Sequence, residues 1–145
     1  GDRVGGGVVV CARGPWDPKF FPELMGKRLG ISTLGHVYYF SAPPGDESYR
    51  HPSCPSYNFP GVTGWPALPG DSRGFRIRAG AHSGDDPDTS IRWVDEESHA
   101  RPRKILAKYF PALAERSINE TRACHYTQSV SRRSEEHTSE LQSQA

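Results

Sequence analysis

Apolar positions in this chain fall into short runs separated by glycine and proline, and one long stretch recurs at helical spacing. Val8-Val9-Val10-Cys11 is mostly β-branched and predicts a short, fully buried strand. Gly5-Gly6-Gly7 precedes that run, whereas a phosphate-cradling glycine loop follows a strand and opens a helix, so no dinucleotide loop is expected here. Ala12 to Trp16 breaks the strand. Asp17 is placed to cap a short helix through Lys19 to Leu24, with Pro18 at its first position.

Val37-Tyr38-Tyr39-Phe40 predicts a second strand, closed by the turn Pro43-Pro44-Gly45-Asp46. Tyr57 to Pro60 and Gly64 to Leu68 are shorter candidates that their prolines restrict to edges, ends or bulges. Gly74 to Ala81 alternates: Phe75, Ile77 and Ala79 on one side, Arg76, Arg78 and Gly80 on the other. Asp86-Pro87-Asp88-Thr89 is a turn. From about Glu96 to Phe110 the spacing predicts a helix with Ile105, Leu106, Tyr109 and Phe110 on a common face, started or kinked by Pro102 and ended by Pro111. Thr121 to Thr127 is a candidate last strand. Strands, turns and one long helix together predict an α+β fold with an antiparallel sheet.

Composition narrows the picture. The chain has 145 residues, 34% hydrophobic and 24% charged, with a mean hydropathy of -0.69, so any core is thin. Fifteen glycines and thirteen prolines put much of the length in loops. A net charge of +1 gives no electrostatic case for nucleic acid or an anionic membrane as partner. No apolar run approaches a membrane span. Cys11, Cys54 and Cys124 are odd in number and widely separated, which argues against a disulfide framework and for a reducing, cytoplasmic setting. Gly1-Asp2-Arg3 has neither an initiating Met nor a signal-peptide core and reads as a cut end. Asn119-Glu120-Thr121 matches a glycosylation acceptor and is read as chance. Residues 133–145 resemble the in-frame translation of a sequencing adapter; they are polar, with Leu141 as the one sizeable apolar side chain, and are read as a non-native tail.

Three places carry candidate chemistry. Cys124-His125-Tyr126-Thr127 has Arg122 nearby, and in a strand Arg122 shares the face of Cys124 while His125 points the other way. A buried structural cysteine is the bland alternative. Arg78 and His82 lie where a strand runs into a turn, a common place for a site, though a lone histidine there is also ordinary polar surface. His51-Pro52-Ser53-Cys54 has metal-like spacing but no second pair, so no metal site is expected.

In order and spacing, several pieces of the chain resemble the sarcosine oxidase and N-methyltryptophan oxidase family of flavoenzymes. They are Val8 to Ala12 with Gly14-Pro15-Trp16, Tyr57-Asn58-Phe59-Pro60, Gly74 to His82, Asp86-Pro87-Asp88, Tyr109 to Leu113, and Cys124 to Thr127. The resemblance implies FAD, held by an α/β domain and covered by an antiparallel-sheet substrate domain. It implies oxidation of a small secondary amine or N-methyl amino acid, with hydride passing to the flavin and molecular oxygen being reduced to hydrogen peroxide. On it, Cys124 is the covalent attachment point for FAD, with Thr127 and Trp16 as further cofactor contacts. Tyr126 lines the substrate pocket, His82 sits near the reacting amine, and Arg78 takes a place near the flavin where the family usually has Lys. Arg13 intrudes in the family's Ala-Gly-x-Trp pattern, and Ser56 stands where close members carry Tyr. Residues 1–28 then read as a remnant of the FAD-binding domain, 29–121 as the substrate domain and 122–132 as a return segment, the chain being truncated at both ends. Two other functions compete: a flavin-dependent amine dehydrogenase of the dimethylglycine type, and a non-catalytic structural or binding domain.

Overall fold

A computed structural model of the chain describes residues 5–8, 10–25, 29–83 and 86–129. Its centre is one five-stranded sheet in which every named pair is antiparallel, in the order β2-β3-β4-β1-β5. The strands are β1 (Leu29–Phe40), β2 (Tyr57–Phe59), β3 (Val62–Trp65), β4 (Phe75–Ser83) and β5 (Ile118–Ser129). Helical segments are α1 (Asp17–Phe20), α2 (Pro22–Met25) and α3 (Ala100–Tyr109), with single 3-10 turns at Gly14–Trp16, Glu47–Tyr49, Glu96–His99 and Pro111–Leu113. The α+β class and the antiparallel sheet expected from the sequence are both present.

The inner face of the sheet carries the core. Leu34, Tyr38 and Phe40 of β1, Phe75, Ile77 and Ala79 of β4 and Ala123 of β5 pack with Leu106 of α3 and Leu113. Phe75 is its aromatic hub. Its ring stacks on Tyr57 at 5.3 Å and meets Phe110 at 5.0 Å and Tyr49 at 6.1 Å, separations at which aromatic pairs attract. Helix α3 follows directly on the 3-10 turn Glu96–His99, whose cap Asp95 accepts from the Ser98 amide at 2.8 Å. Pro102 falls in its first turn, where a missing N–H breaks no helical bond, and is buried in the core.

Two expectations need correction. Val8 and Val10 are not in a strand: both are 86% exposed in irregular chain, because none of the five strands pairs with that segment; Val9 lies outside the described residues. The helix expected to run from Lys19 is broken at Phe21 (φ -131°, ψ 59°), since Pro22 disfavours a helical residue before it. Strand β4 also departs from simple alternation. Gly35 pairs with Ala81 but Val37 with Arg78, so Ala79 and Gly80 together oppose His36 in a bulge that Gly80 accommodates with φ +87°. Strand β5 runs through residue 122 without interruption and keeps 122–129 in the same sheet as β1.

Candidate functional site

The bulge decides which of the candidate residues meet. In a regular strand Arg78 and His82, four apart, would share a face. The extra residue turns His82 to the side of Leu34, the inner face, while Arg78 stays opposite with Val37. Registers across β1 place the rest: Leu34 is flanked by His82 and His125, and Gly35 by Ala81 and Cys124. Arg78, Cys124 and Tyr126 therefore come together on the outer face, and His82 lies behind them.

Gly35 makes the outer cluster possible. A Cβ there would lie 2.4 Å from Cε2 of Tyr126, so the Tyr126 ring crosses the β1 backbone at the one residue that leaves it room. The ring receives the Arg78 guanidinium at 4.4 Å from its centroid, within cation–π range. Arg78 is exposed, and Cys124 and Tyr126 are partly so. The same arrangement repeats along this face. Arg76 lies over Trp65 at 3.7 Å, and Arg73 and Arg122 lie over Tyr39 at 4.6 and 5.9 Å. Asp71 binds Arg73 at 2.8 Å, and that hydrogen-bonded pairing pulls the Asp71 carboxyl down to about 2. Glu120 binds Arg122. Arg76 and Arg78 have no ion pair among the described residues, so the centre of the face is cationic. Sequence alternation gave its basic row; the aromatic floor beneath it is added by strands the sequence does not pair.

On the inner side, Nε2 of His36 lies 2.5 Å from Nδ1 of His82; no motif in the chain marks His36 as a partner of that histidine. His36 is 4% exposed, and burial first, then His82, holds its pKa below the usual histidine value. Tyr38 joins them, its hydroxyl 3.3 Å from Nδ1 of His36; burial, then Asp95, pushes that phenol up to about 12. His125 is also shifted down, mainly by desolvation.

Trp16 belongs to this side too. Its indole N–H donates to Asp88 at 2.7 Å, and its ring meets the edge of His125 at 6.4 Å. Lys19 holds the same loop through Asp86, at 2.6 Å, and Asp88, which raises its own pKa and lowers both carboxyls. Arg13 lies 3.6 Å over the Phe20 ring, so the charge that breaks the family pattern has a local partner. The side chain of Thr127 lies outside the described residues.

For a flavin, the fit is partial. A partly exposed thiol beside an aromatic ring and a guanidinium suits attachment and flanking of a planar heterocycle, whereas among the described residues no glycine loop follows a strand to cradle its phosphates. His51 is exposed and Cys54 is buried with its thiol on the Pro55 carbonyl at 3.5 Å, and no cluster of three metal-binding side chains occurs among the described residues. A cleft of about 460 Å³ lined by Glu47, Arg50, His51, Leu68 and Asp71 contains none of the residues expected to meet flavin or substrate. Among the described residues no helix is long and apolar enough to cross a membrane. No protein-family model matches the chain, and a search of curated proteins finds none that matches it.

Proposed function

We propose that this chain is the substrate-side portion of an FAD-dependent oxidoreductase acting on a secondary amine or N-methyl amino acid, with the outer face of its sheet as the flavin-facing surface. The observation that carries this reading is the grouping of Cys124, Tyr126 and Arg78 on a sheet face whose ring contacts, among the described residues, come from strands and turns. Flavin would supply the two-electron step, taking hydride from the amine carbon and passing the electrons to molecular oxygen. The chain's own residues bind and orient. Cys124 offers a free, partly exposed sulfur as the attachment point for a thioether. Tyr126 presents a partly exposed ring, and Arg78 a fixed positive charge beside it. Arginine keeps that charge at any working pH but spreads it over a plane, where lysine would give a compact ammonium. Trp16 and His82, on the far side, could touch the same ligand only around the end of the sheet.

The test uses a longer polypeptide in which this chain follows a dinucleotide-binding unit. Flavin that survives acid precipitation in the parent and is lost in Cys124→Ala supports the proposal. Complete release of flavin from the unmodified protein sinks it. Peroxide formation on amine oxidation then separates an oxidase from a dehydrogenase.

A further inference from the structure

Four polar contacts on the inner face stand in line. His82 Nε2 lies 3.4 Å from the Ile91 carbonyl, His82 Nδ1 lies 2.5 Å from His36 Nε2, His36 Nδ1 lies 3.3 Å from the Tyr38 hydroxyl, and that hydroxyl donates to the Ser98 carbonyl at 3.1 Å. Both ends of the line are carbonyls, which only accept. The single proton of Tyr38 is committed to Ser98, so His36 Nδ1 must carry a hydrogen to reach the phenol oxygen. The contact with Ile91 likewise requires a hydrogen on His82 Nε2. One more hydrogen must lie between the two rings, because two bare nitrogens would repel at that distance. Three ring hydrogens on two imidazoles make one positive charge, whichever ring is given it.

Surroundings decide where the charge rests. His36 is almost fully enclosed, and the stem of Arg101 from α3 runs past Gly80 beside it. Asp95, ahead of the Glu96–His99 turn, favours charge on His36, but burial and Arg101 act against it. His99 of that turn meets the ring of Tyr38 at 5.8 Å, and His125 of β5 flanks the same face. His82 is partly open to solvent.

We infer that His36 and His82 work as one cationic unit, in which His36 is the positioning residue and His82 is an imidazolium whose Nε2–H is turned outward as a donor. A ligand approaching that nitrogen would have to offer an acceptor or an anionic group in place of the Ile91 carbonyl. The proton count stands apart from any flavin; joined to the amine-oxidising proposal, on which this last clause rests, it makes His82 a hydrogen-bond donor and not the base that takes a proton from the amine.

Histidine-selective long-range 1H–15N correlation spectra of the full chain across pH test the assignment. The expected result is a pH window in which both nitrogens of His82 are protonated while His36 stays neutral with its hydrogen on Nδ1. His36→Gln should keep that window, since the amide oxygen accepts from His82 and the amide nitrogen donates to Tyr38. His36→Leu should move it down by at least one pH unit. Charge appearing on His36 first, a neutral His36 with its hydrogen on Nε2, or a window unmoved in His36→Leu would overturn the assignment. Should His36→Leu fail to fold, Tyr38→Phe removes the acceptor that fixes the His36 tautomer; a lowered window supports the relay and an unchanged one refutes it. Flavin retention plays no part in these readings, so the two proposals fail separately.

Discussion

The two faces of this sheet solve one packing problem in different ways. On the inner face, apolar and aromatic side chains from β1, β4 and β5 are closed over by α3 and the 3-10 turns, and Phe75, Ile77 and Leu106 are fully buried. On the outer face Val37 and Tyr39 are just as hidden, at 1% and 3% exposure, yet the ring contacts above them are made by arginines of the sheet and its turns. Long cationic side chains there lay their stems along apolar surface and keep their heads wet. A glycine serves each face alike: Gly64 lets Tyr57 cross β3 and donate to the Arg76 carbonyl at 2.6 Å, and Gly35 lets Tyr126 cross β1 toward Arg78. Enclosure by other elements leaves the core of the inner face nothing to recruit, with His82 at its margin as the exception, whereas self-shielding by charged side chains leaves a surface that a ligand can remodel.

Core truncation tests that contrast at its strongest point. Phe75→Ala removes the ring that Tyr49, Tyr57 and Phe110 all pack against, and should cost about 3–5 kcal/mol in urea unfolding. A loss under 1 kcal/mol would mean that the inner face is not the cooperative core. Next comes Gly35→Ala. A methyl 2.4 Å from the Tyr126 ring must displace it, at a cost of about 1–3 kcal/mol. Most of that loss should return in Gly35→Ala/Tyr126→Ala, because the clash is with the ring alone. Equal losses in the single and double variants would show that the backbone, not the ring, demands glycine.

Much of the fold was legible in hydrophobic spacing. The alternation of Phe75, Ile77 and Ala79 assigned β4 its inner face, and the run Ile105, Leu106, Tyr109, Phe110 assigned α3 its own. The opposition of Arg122 and Cys124 to His125 also follows from strand periodicity alone. Three things were hidden. Val8 to Cys11 has strand composition, but pairing is non-local and composition cannot supply a partner strand. The bulge at Ala79 and Gly80 is one residue long, yet it reverses His82, because the side-chain period of a strand is two. His36 sits in an apolar stretch with no motif, and only the topology that puts β4 beside β1 brings it to His82. Gly80, a glycine inside a strand pattern, was the one local sign of that bulge.

Acid should act on the inner face before the outer one. His36 and His125 both have folded pKa values below the unfolded one, His36 by burial and His82, His125 by desolvation and Arg92. The unfolded chain therefore binds more protons as pH falls past the ordinary histidine value of about 6.5. The stability these groups contribute is intact above that value and is lost as pH drops through their lowered folded values. Unfolding free energy measured between pH 7.5 and pH 5 should decline, and His36→Gln should decline less. A difference between the two profiles that stayed flat across that interval would remove His36 from the energetics of the inner face.

The smallest effect belongs to the outer face. Arg76 lies over Trp65 at 3.7 Å, on a part of the sheet with solvent at hand, and pairs of this kind contribute about 0.5–1 kcal/mol. Arg76→Ala should therefore lower stability by no more than that, while Arg76→Lys should recover only part of it, because an ammonium cannot lie flat on the indole. Trp65 fluorescence separates the two roles of the arginine: it should shift in Arg76→Ala as water reaches the ring, even though the fold holds. If Arg76→Ala instead cost as much as Phe75→Ala, the arginine layer would be structural in the same sense as the aromatic core. The outer face would then be a second enclosed surface, closed to any ligand.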